Sequence, residues 1–555
     1  MRDVYAGIDV GTGSARAGLF DRSGRLIATA RHTIETWREA GDIVEQSSDD
    51  IWRACATALG AAMAEGRVTA DRVGGIGFDA TCSLVALDDR GRPVTVSPSG
   101  DDRRNVMVWM DHRAVEEARA IDRTRDDVLR YVGGSISPEM EMPKLLWLKT
   151  HLPEAFAGAA HFFDLADFLS FRATGSHSRS ICTLTCKWAY LGHENRWSGA
   201  FLERIGLGEF VAEQYRRIGR DVVLPGTPLG AGLTTAAAAE LGLDSGTPVA
   251  AGLIDAHAGG IGTVGGRKRD GAAADPRRRL GYIMGTSACI MATTESPVFV
   301  PGIWGPYYAA MAPGLWLNEG GQTSAGAGID HIVRAHPAYA AASNAASESG
   351  LSILDYLEVR IVARAGGLSR AALIARDLHV LPDFLGNRSP FADPEVRAAI
   401  VGLSLDTSVE DLDRIFIATL SGLAYGLADV VDAFRAEGIA TDAVVVSGGA
   451  SRSPLVRQVL ADVTGLTVIQ PETEEPVLLG AAMLGAVAGG GYTGLAEAMT
   501  AMARDGDATA PTPPDVARFH AAKREVYRRM RGLEREARGI MRAVDGGEPD
   551  PPIRE

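Results

Sequence analysis

From Val4 to Phe20 the chain reads V-Y-A-G-I-D-V-G-T-G-S-A-R-A-G-L-F, two apolar runs separated by a bend at Gly11-Thr12-Gly13-Ser14. The pattern predicts a hairpin: its glycines let the backbone approach an anion, Thr12 and Ser14 supply donors, and Asp9 stands where it can orient a hydrated divalent metal. Taken alone, the stretch is equally an ordinary hairpin closed by an Asx or Ser turn. A turn at Asp21-Arg22-Ser23-Gly24 and a third strand from Leu26 to Thr29 follow. Ser47 and Asp50 stand at capping spacing before Ile51, Cys55, Ala58, Leu59 and Ala62, whose helical spacing predicts one buried face. Val73 to Phe78 reads as a strand ending on Asp79-Ala80-Thr81-Cys82-Ser83, and Leu84 to Leu87 as another. Small polar residues at a strand end are where α/β sites are built.

From Asp101 to Lys149 the pattern is irregular, with Trp109 to Arg113 opening a charged helix and Pro138 to Lys144 preceding another. A polar segment between prolines is expected to lie outside the core. The apolar run Val249 to Ile254 stops at Asp255, again placing a carboxylate where a buried segment ends. From Gly265 to Leu280 periodicity vanishes and basic residues accumulate, which predicts a solvated loop near a domain boundary. Gly281 to Ala292 then repeats the opening pattern, a strand, a Gly285-Thr286-Ser287 turn and a second strand. A unit repeated halfway along the chain suggests two related domains, each starting with a phosphate-facing hairpin. Ser408 and Asp411 introduce a long helix with one apolar stripe, taken as core. Ala443 to Val446 is a short strand, followed by the turn Ser447-Gly448-Gly449-Ala450-Ser451 and a helix from Pro454 to Val463. Glycines in that turn admit a flat ligand against the backbone, or simply make a tight β-α turn. Gly480 to Ala488 is a small-residue helix able to pack closely.

Size and composition narrow the class. At 555 residues the chain exceeds what one core organises, so two large domains or three are expected. A hydrophobic fraction of 46% with 23% charged residues is that of a soluble globular protein. The net charge of −14 argues against nucleic acid or an anionic membrane as the main partner, while a small basic pocket for phosphates stays compatible with it. Neither a signal peptide nor a run of membrane-spanning length is expected. Cys55, Cys82, Cys182, Cys186 and Cys289 are odd in number and lie in apolar contexts, which favours reduced thiols in the cytoplasm. Cys182 and Cys186 lack a second Cys or His pair placed to complete a zinc site, so they read as packed thiols.

Two Gly-Thr hairpins, a late Ser-Gly-Gly-Ala turn and an Asp closing a strand before the middle are together the parts of the actin-like ATPase fold. Within it the chain resembles the FGGY carbohydrate kinases. The resemblance rests on G-I-D-V-G-T-G-S-A-R from Gly7, V-W-M-D-H-R from Val108, P-K-L-L-W-L from Pro143, L-I-D-A-H-A-G-G from Leu253, M-G-T-S from Met284, E-G-G-Q from Glu319, G-N-R-S-P from Gly386 and V-S-G-G-A-S-R-S-P from Val446. G-F-D-A-T-C-S-L-V-A-L-D from Gly77, P-E-M-E-M-P-K from Pro138 and H-F-F-D-L-A-D-F-L-S from His161 look most like the D-ribulokinase subgroup.

The resemblance implies an α/β protein of two actin-like ATPase (ribonuclease H-like) domains, residues 1–264 and 265–545, with the active site in the cleft between them and a frayed tail at 546–555. It implies ATP and Mg2+ as cofactors, D-ribulose phosphorylated at its 5-hydroxyl, and closure of the domains around both substrates. Asp255 would be the general base, with helix capping as its plain alternative. Asp9 would hold the magnesium through water; Gly11, Thr12, Gly13, Ser14, Gly285, Thr286 and Ser287 would line the phosphates. Gly448, Gly449 and Ala450 would face the adenosine, with Gln322 and Asn387 near the nucleotide, Asn387 standing where many relatives have Glu. Thr81, Cys82 and Ser83 would read the sugar, with Asp111 and Glu139 in the other wall; Cys82 serves equally as a small space-filler. The alternatives are another ketopentose or pentitol (L-ribulose, D-xylulose, ribitol) or a non-catalytic sugar or nucleotide sensor. A homodimer is expected by analogy alone.

Overall fold

The opening apolar runs become β1 (Val4–Val10) and β2 (Ser14–Asp21), antiparallel, and β3 (Leu26–Thr33) extends the meander. In this computed structural model, which describes residues 2–40, 42–512 and 514–544, all seven residues of β1 are buried. The expected tail at 546–555 lies outside the described residues. Val4, Ala6, Ile8 and Val10 face α1 (Ser48–Gly66), whose Ile51, Cys55, Ala58 and Leu59 share their cluster. Ser47 caps that helix by accepting from the Asp50 amide, while the Asp50 carboxylate turns away to accept from Glu35 N. β4 (Val73–Ala80) lies parallel to β1 and sets Asp79 beside Asp9. The chain then builds a helical insertion that includes α2 (Glu141–His151) and α3 (Ile181–Lys187). It returns as β5 (Leu253–Ile254), parallel to β4, and turns at once into α4 (Asp255–Ile261).

A second sheet repeats this plan. It comprises β6 (Arg279–Met284), β7 (Ala288–Thr294), β8 (Trp304–Tyr308), β9 (Trp316–Gln322), β10 (Ala443–Ser447), β11 (Thr467–Pro471) and β12 (Asp505–Thr509), in the order β8-β9-β7-β6-β10-β11-β12. Its inner order β9-β7-β6-β10-β11 matches β3-β2-β1-β4-β5 of the first sheet in both sequence and strand direction. The repeated hairpin is thus the visible part of a repeated sheet.

Three expectations are corrected. The helix introduced by Ser408, α5 (Val409–Ala436), has more than one buried stripe: it is enclosed around most of its girth. By length and composition it could cross a membrane, contrary to the reading of run lengths, but 94% of its most apolar window is buried inside the fold. Glu141, Met142 and Lys144, from the segment between prolines, are fully buried. The basic stretch after Gly265 is exposed from Arg267 to Ala273, as expected of a solvated loop; Arg277 pairs with Asp275 and Arg278 with Asp442 on the surface, and Arg279 is buried against Asp505 with contacts of 2.8 and 2.6 Å.

The small-residue helix, α6 (Pro476–Ala488), follows the second sheet in sequence yet packs on β1 and β4 of the first. Backbone meets backbone there. A Cβ at Gly7 would lie 2.0 Å from Leu478 O, at Gly75 2.1 Å from Gly485 O, and at Gly77 2.0 Å from Ala481 O. Residues 476–488 therefore serve the first sheet although they lie far beyond residue 264. Gly485→Val should force these backbones apart and cost about 1–3 kcal/mol or more, read as a lower urea midpoint; an unchanged midpoint would show that the interface yields. The last described helix, α7 (Pro514–Val544), docks on α5 through Arg524 and Arg531 to Asp429.

Candidate active site

Both glycine-rich bends close the same way: Gly11 N donates to Ser14 O at 3.1 Å, and Gly285 N to Ser287 O at 2.8 Å. Thr12 is held by Trp109, whose Nε1 donates to Thr12 Oγ1 at 3.0 Å, and by Gln46, whose amide reaches Thr12 O. Thr286 O accepts from Ala325 N and Ala327 N, fixing the second bend to the helix that begins at Gly326. Each turn is thus braced from outside before any ligand arrives.

Three carboxylates converge below the first bend. Asp9 is the penultimate residue of β1, Asp79 is its neighbour on β4, and Asp255 begins α4. Arg16 Nε donates to Asp9 Oδ2 at 2.8 Å and Arg16 Nη1 to Glu475 Oε2 at 2.8 Å. The oxygens of Asp79 are buried with no hydrogen-bond partner among the described residues, and burial, then the charge of Asp9, pushes its carboxyl well above the usual range. Asp255 is pushed up to about 7 by burial and by Asp9; its Oδ1 accepts its neighbour's amide, Ala256 N. An acid with a pKa near neutrality is suited to accept a proton. Hard oxygen donors around orphaned carboxylate oxygens also suit a hydrated divalent cation.

The strand-end residues lie beside this cluster. Thr81 and Ser83 share a hydrogen bond at 3.1 Å, Ser83 Oγ also accepts from Trp109 N, and Cys82 is buried between them. Opposite is Glu139; burial raises it, but His112, Arg388 and Lys187 outweigh burial and hold it below the usual carboxylate range. The oxygens of Asp111 accept from Val44 N and from Arg113, in a buried ion cluster with Glu45 that braces this wall.

Three residues near this pocket were not singled out by sequence. Lys187 is buried with its ammonium 4.6 Å from the Trp304 ring centroid, and its charge acts on Asp255, Glu139 and Glu319. A lone lysine closing the apolar run I-C-T-L-T-C was the available signal. Glu319 and Arg388 stood in the quoted motifs without a role; Arg388 lies over Trp304 at 3.9 Å and donates to Glu319 Oε1 at 2.8 Å.

At the late glycine turn, Gly448 has φ of 91° and a Cβ there would meet Met284 O at 2.3 Å, so only glycine fits where the turn crosses β6. Gly449 has open space at its Cα, and Ala450 packs against the core of the second sheet. Gln322 spends its amide on Leu423 O and Tyr282 Oη, and Asn387 on Phe391 N and Asp383. Both line one crevice with Ser324, Gly426 and Tyr527, as walls whose polar ends are already engaged.

Comparison with known proteins agrees with this geometry. Residues 4–262 match the FGGY family of carbohydrate kinases, N-terminal domain, and residues 280–489 its C-terminal domain. The chain is 44% identical over 544 residues to the FGGY carbohydrate kinase domain-containing protein of Homo sapiens, covering 97% of this chain and 98% of that one. It is 36% identical over 513 residues to a D-ribulokinase of Saccharomyces cerevisiae, covering 87% and 72% respectively. The fold is shared with a ligand-bound xylulose kinase from Lactobacillus acidophilus, with a TM-score of 0.77 at 19% identity over 96% of this chain and 98% of that one. The chain belongs to the FGGY family of carbohydrate kinases. It is an ATP-dependent sugar phosphotransferase built on the two-domain actin-like ATPase fold.

Proposed function

We propose that the chain phosphorylates D-ribulose at its 5-hydroxyl, with Asp255 taking the hydroxyl proton. The observation that carries this reading is Asp255 itself, a half-buried carboxylate raised to about 7 where β5 turns into α4, with the ammonium of Lys187 and the short hydroxyls of Thr81 and Ser83 in its neighbourhood. The similarity to the yeast D-ribulokinase supports the choice of pentulose.

Phosphoryl transfer asks for alignment and charge neutralisation more than covalent work. Thr12, Gly13 and Ser14 from one bend, with Gly285, Thr286 and Ser287 from the other, receive the phosphates. Gly448, Gly449 and Ala450 leave room for the adenosine. Magnesium, when bound, neutralises phosphate charge. Asp9 would hold it through water from Oδ1, since Arg16 occupies Oδ2. Glu139 and Lys187 offer an acceptor and a donor to the sugar's hydroxyls, and a pentulose lacking one partner would leave a buried polar group unpaired, which is costly. The unpaired thiols support a reducing compartment, the cytoplasm, for this reaction.

An ADP-release assay across D-ribulose, L-ribulose, D-xylulose and ribitol tests the substrate, with kcat/KM expected highest for D-ribulose. Preference for any other of these sugars overturns the substrate and leaves the kinase. The same assay read against pH tests the base. Asp255 must be ionised to act, and burial raises its pKa to about 7, so kcat/KM should climb as pH rises through that value and level off above it. A profile flat across it would remove Asp255 as the titrating group.

A further inference from the structure

Two turns of α3 carry Cys182 and Cys186, four positions apart and so on one face of the helix. Both thiols are fully buried. Facing them is His257 from α4, equally buried, with Nδ1 3.1 Å from Cys182 Sγ. The three donor atoms lie within 4.8 Å of one another. Sequence spacing could not assemble this set, because the third donor arrives from another helix far along the chain.

The surroundings orient the imidazole. His257 Nε2 lies 3.1 Å from Glu319 Oε2, and Arg388 grips the other oxygen of that carboxylate at 2.8 Å. Glu319, paired with Arg388, accepts from Nε2–H, which leaves the Nδ1 lone pair directed at the sulfurs. A carboxylate behind an imidazole is the arrangement that orients metal-bound histidines and raises their basicity. Close by, the hydroxyl of Tyr307 is buried without a hydrogen-bond partner among the described residues, and Cys186 is among the groups acting on it.

We propose that Cys182, Cys186 and His257 form a binding site for a thiophilic divalent cation, zinc before others, that clamps α3 to α4. Two sulfurs and one imidazole suit zinc and exclude magnesium, which takes oxygen ligands. Zinc sits about 2.3 Å from sulfur and about 2.0–2.1 Å from nitrogen, so a cluster already within 4.8 Å needs only small side-chain rotations to close. Binding converts both thiols to thiolates and releases their two protons to solvent, while the imidazole binds neutral. The cation and two thiolates cancel, so the interior gains no net charge. The Tyr307 hydroxyl or a water completes the fourth position. The clamp joins the two elements that flank the pocket, since Lys187 directly follows Cys186 and Asp255 stands two positions before His257. The site does not depend on which sugar is phosphorylated.

The test is cobalt and zinc binding by the full-length chain, reduced and freed of adventitious metal. Wild type should take up one Co2+ with an intense near-ultraviolet thiolate-to-cobalt band, displaced by one equivalent of Zn2+. Cys186→Ser and Cys182→Ser should lose the band, while Asp9→Asn, altered at the magnesium position, should keep it. Glu319→Gln should weaken zinc binding by about 10–100-fold. A wild type that shows no thiolate-cobalt band overturns the proposal without any variant, and so does a folded Cys186→Ser protein whose band is unchanged. Cobalt uptake lost with Asp9→Asn but kept in both cysteine variants would assign the metal to the phosphate site and overturn it equally.

Discussion

Asp255→Asn is expected to lower kcat by about 10²–10⁴-fold, the usual contribution of a positioned general base, while sugar binding persists. Asparagine keeps the size of the side chain and an oxygen for Ala256 N, so the start of α4 should hold its shape. What it cannot do is accept the hydroxyl proton. Folding should not suffer either. Asp255 has a folded pKa of about 7, raised above the ordinary carboxylate value, so its native state binds more protons than its unfolded state. Its contribution to stability is therefore negative and grows as pH rises from the unfolded value to about 7. A neutral amide removes that cost at neutral pH. ADP release measures the first expectation and titration calorimetry with D-ribulose the second. Unchanged turnover would take Asp255 out of the mechanism and reopen the reading of the chain as a sensor.

Lys144→Met should produce the largest loss of stability. Lys144 is fully buried on α2 with its ammonium 3.7 Å from Glu141 Oε2, and Asp164 shares their surroundings. Nζ of Lys144, both oxygens of Glu141 and Oδ2 of Asp164 have no hydrogen-bond partner among the described residues. Burial pushes both acids up, and the ammonium is the main charge opposing that at Glu141. Removing one member of a buried pair typically costs about 3–5 kcal/mol, because the other is left uncompensated, whereas replacing both by apolar or neutral groups is often near neutral. Urea unfolding should therefore show a large drop for Lys144→Met and substantial recovery in Lys144→Met with Glu141→Gln. A loss below about 1 kcal/mol in the single variant, the range of an exposed pair, would mean that water reaches the cluster.

That pair also shows where sequence reading stops. The hairpin at Val4–Phe20, its echo at Gly281–Ala292, the Ser47 and Ser408 caps and the strand ends at Asp79 and Asp255 were all legible, because each depends on neighbours a few residues away. Glu141 and Lys144 read as a polar, outlying segment, since nothing within the segment reveals that the first turn of α2 is packed on all sides. Asp111 sat in a recognisable motif, but only the fold brought Arg113 and Val44 onto its oxygens. Lys187, Glu319 and Arg388 come from three separate elements, and their common location is a property of the closed fold.

The chain's own order of residues determined that there would be two hairpins with glycine-rich bends, a late glycine turn and carboxylates at two strand ends, because periodicity, turn chemistry and strand termination are local effects. The tertiary structure decided what those pieces face. It laid α6 back across the first sheet through glycine-lined backbone contacts, lifted Asp255 toward neutrality by burial beside Asp9, and set His257 between two thiols and Glu319. Burial, desolvation and charge coupling act through space between residues distant in the chain, and no spacing along one strand or helix encodes them.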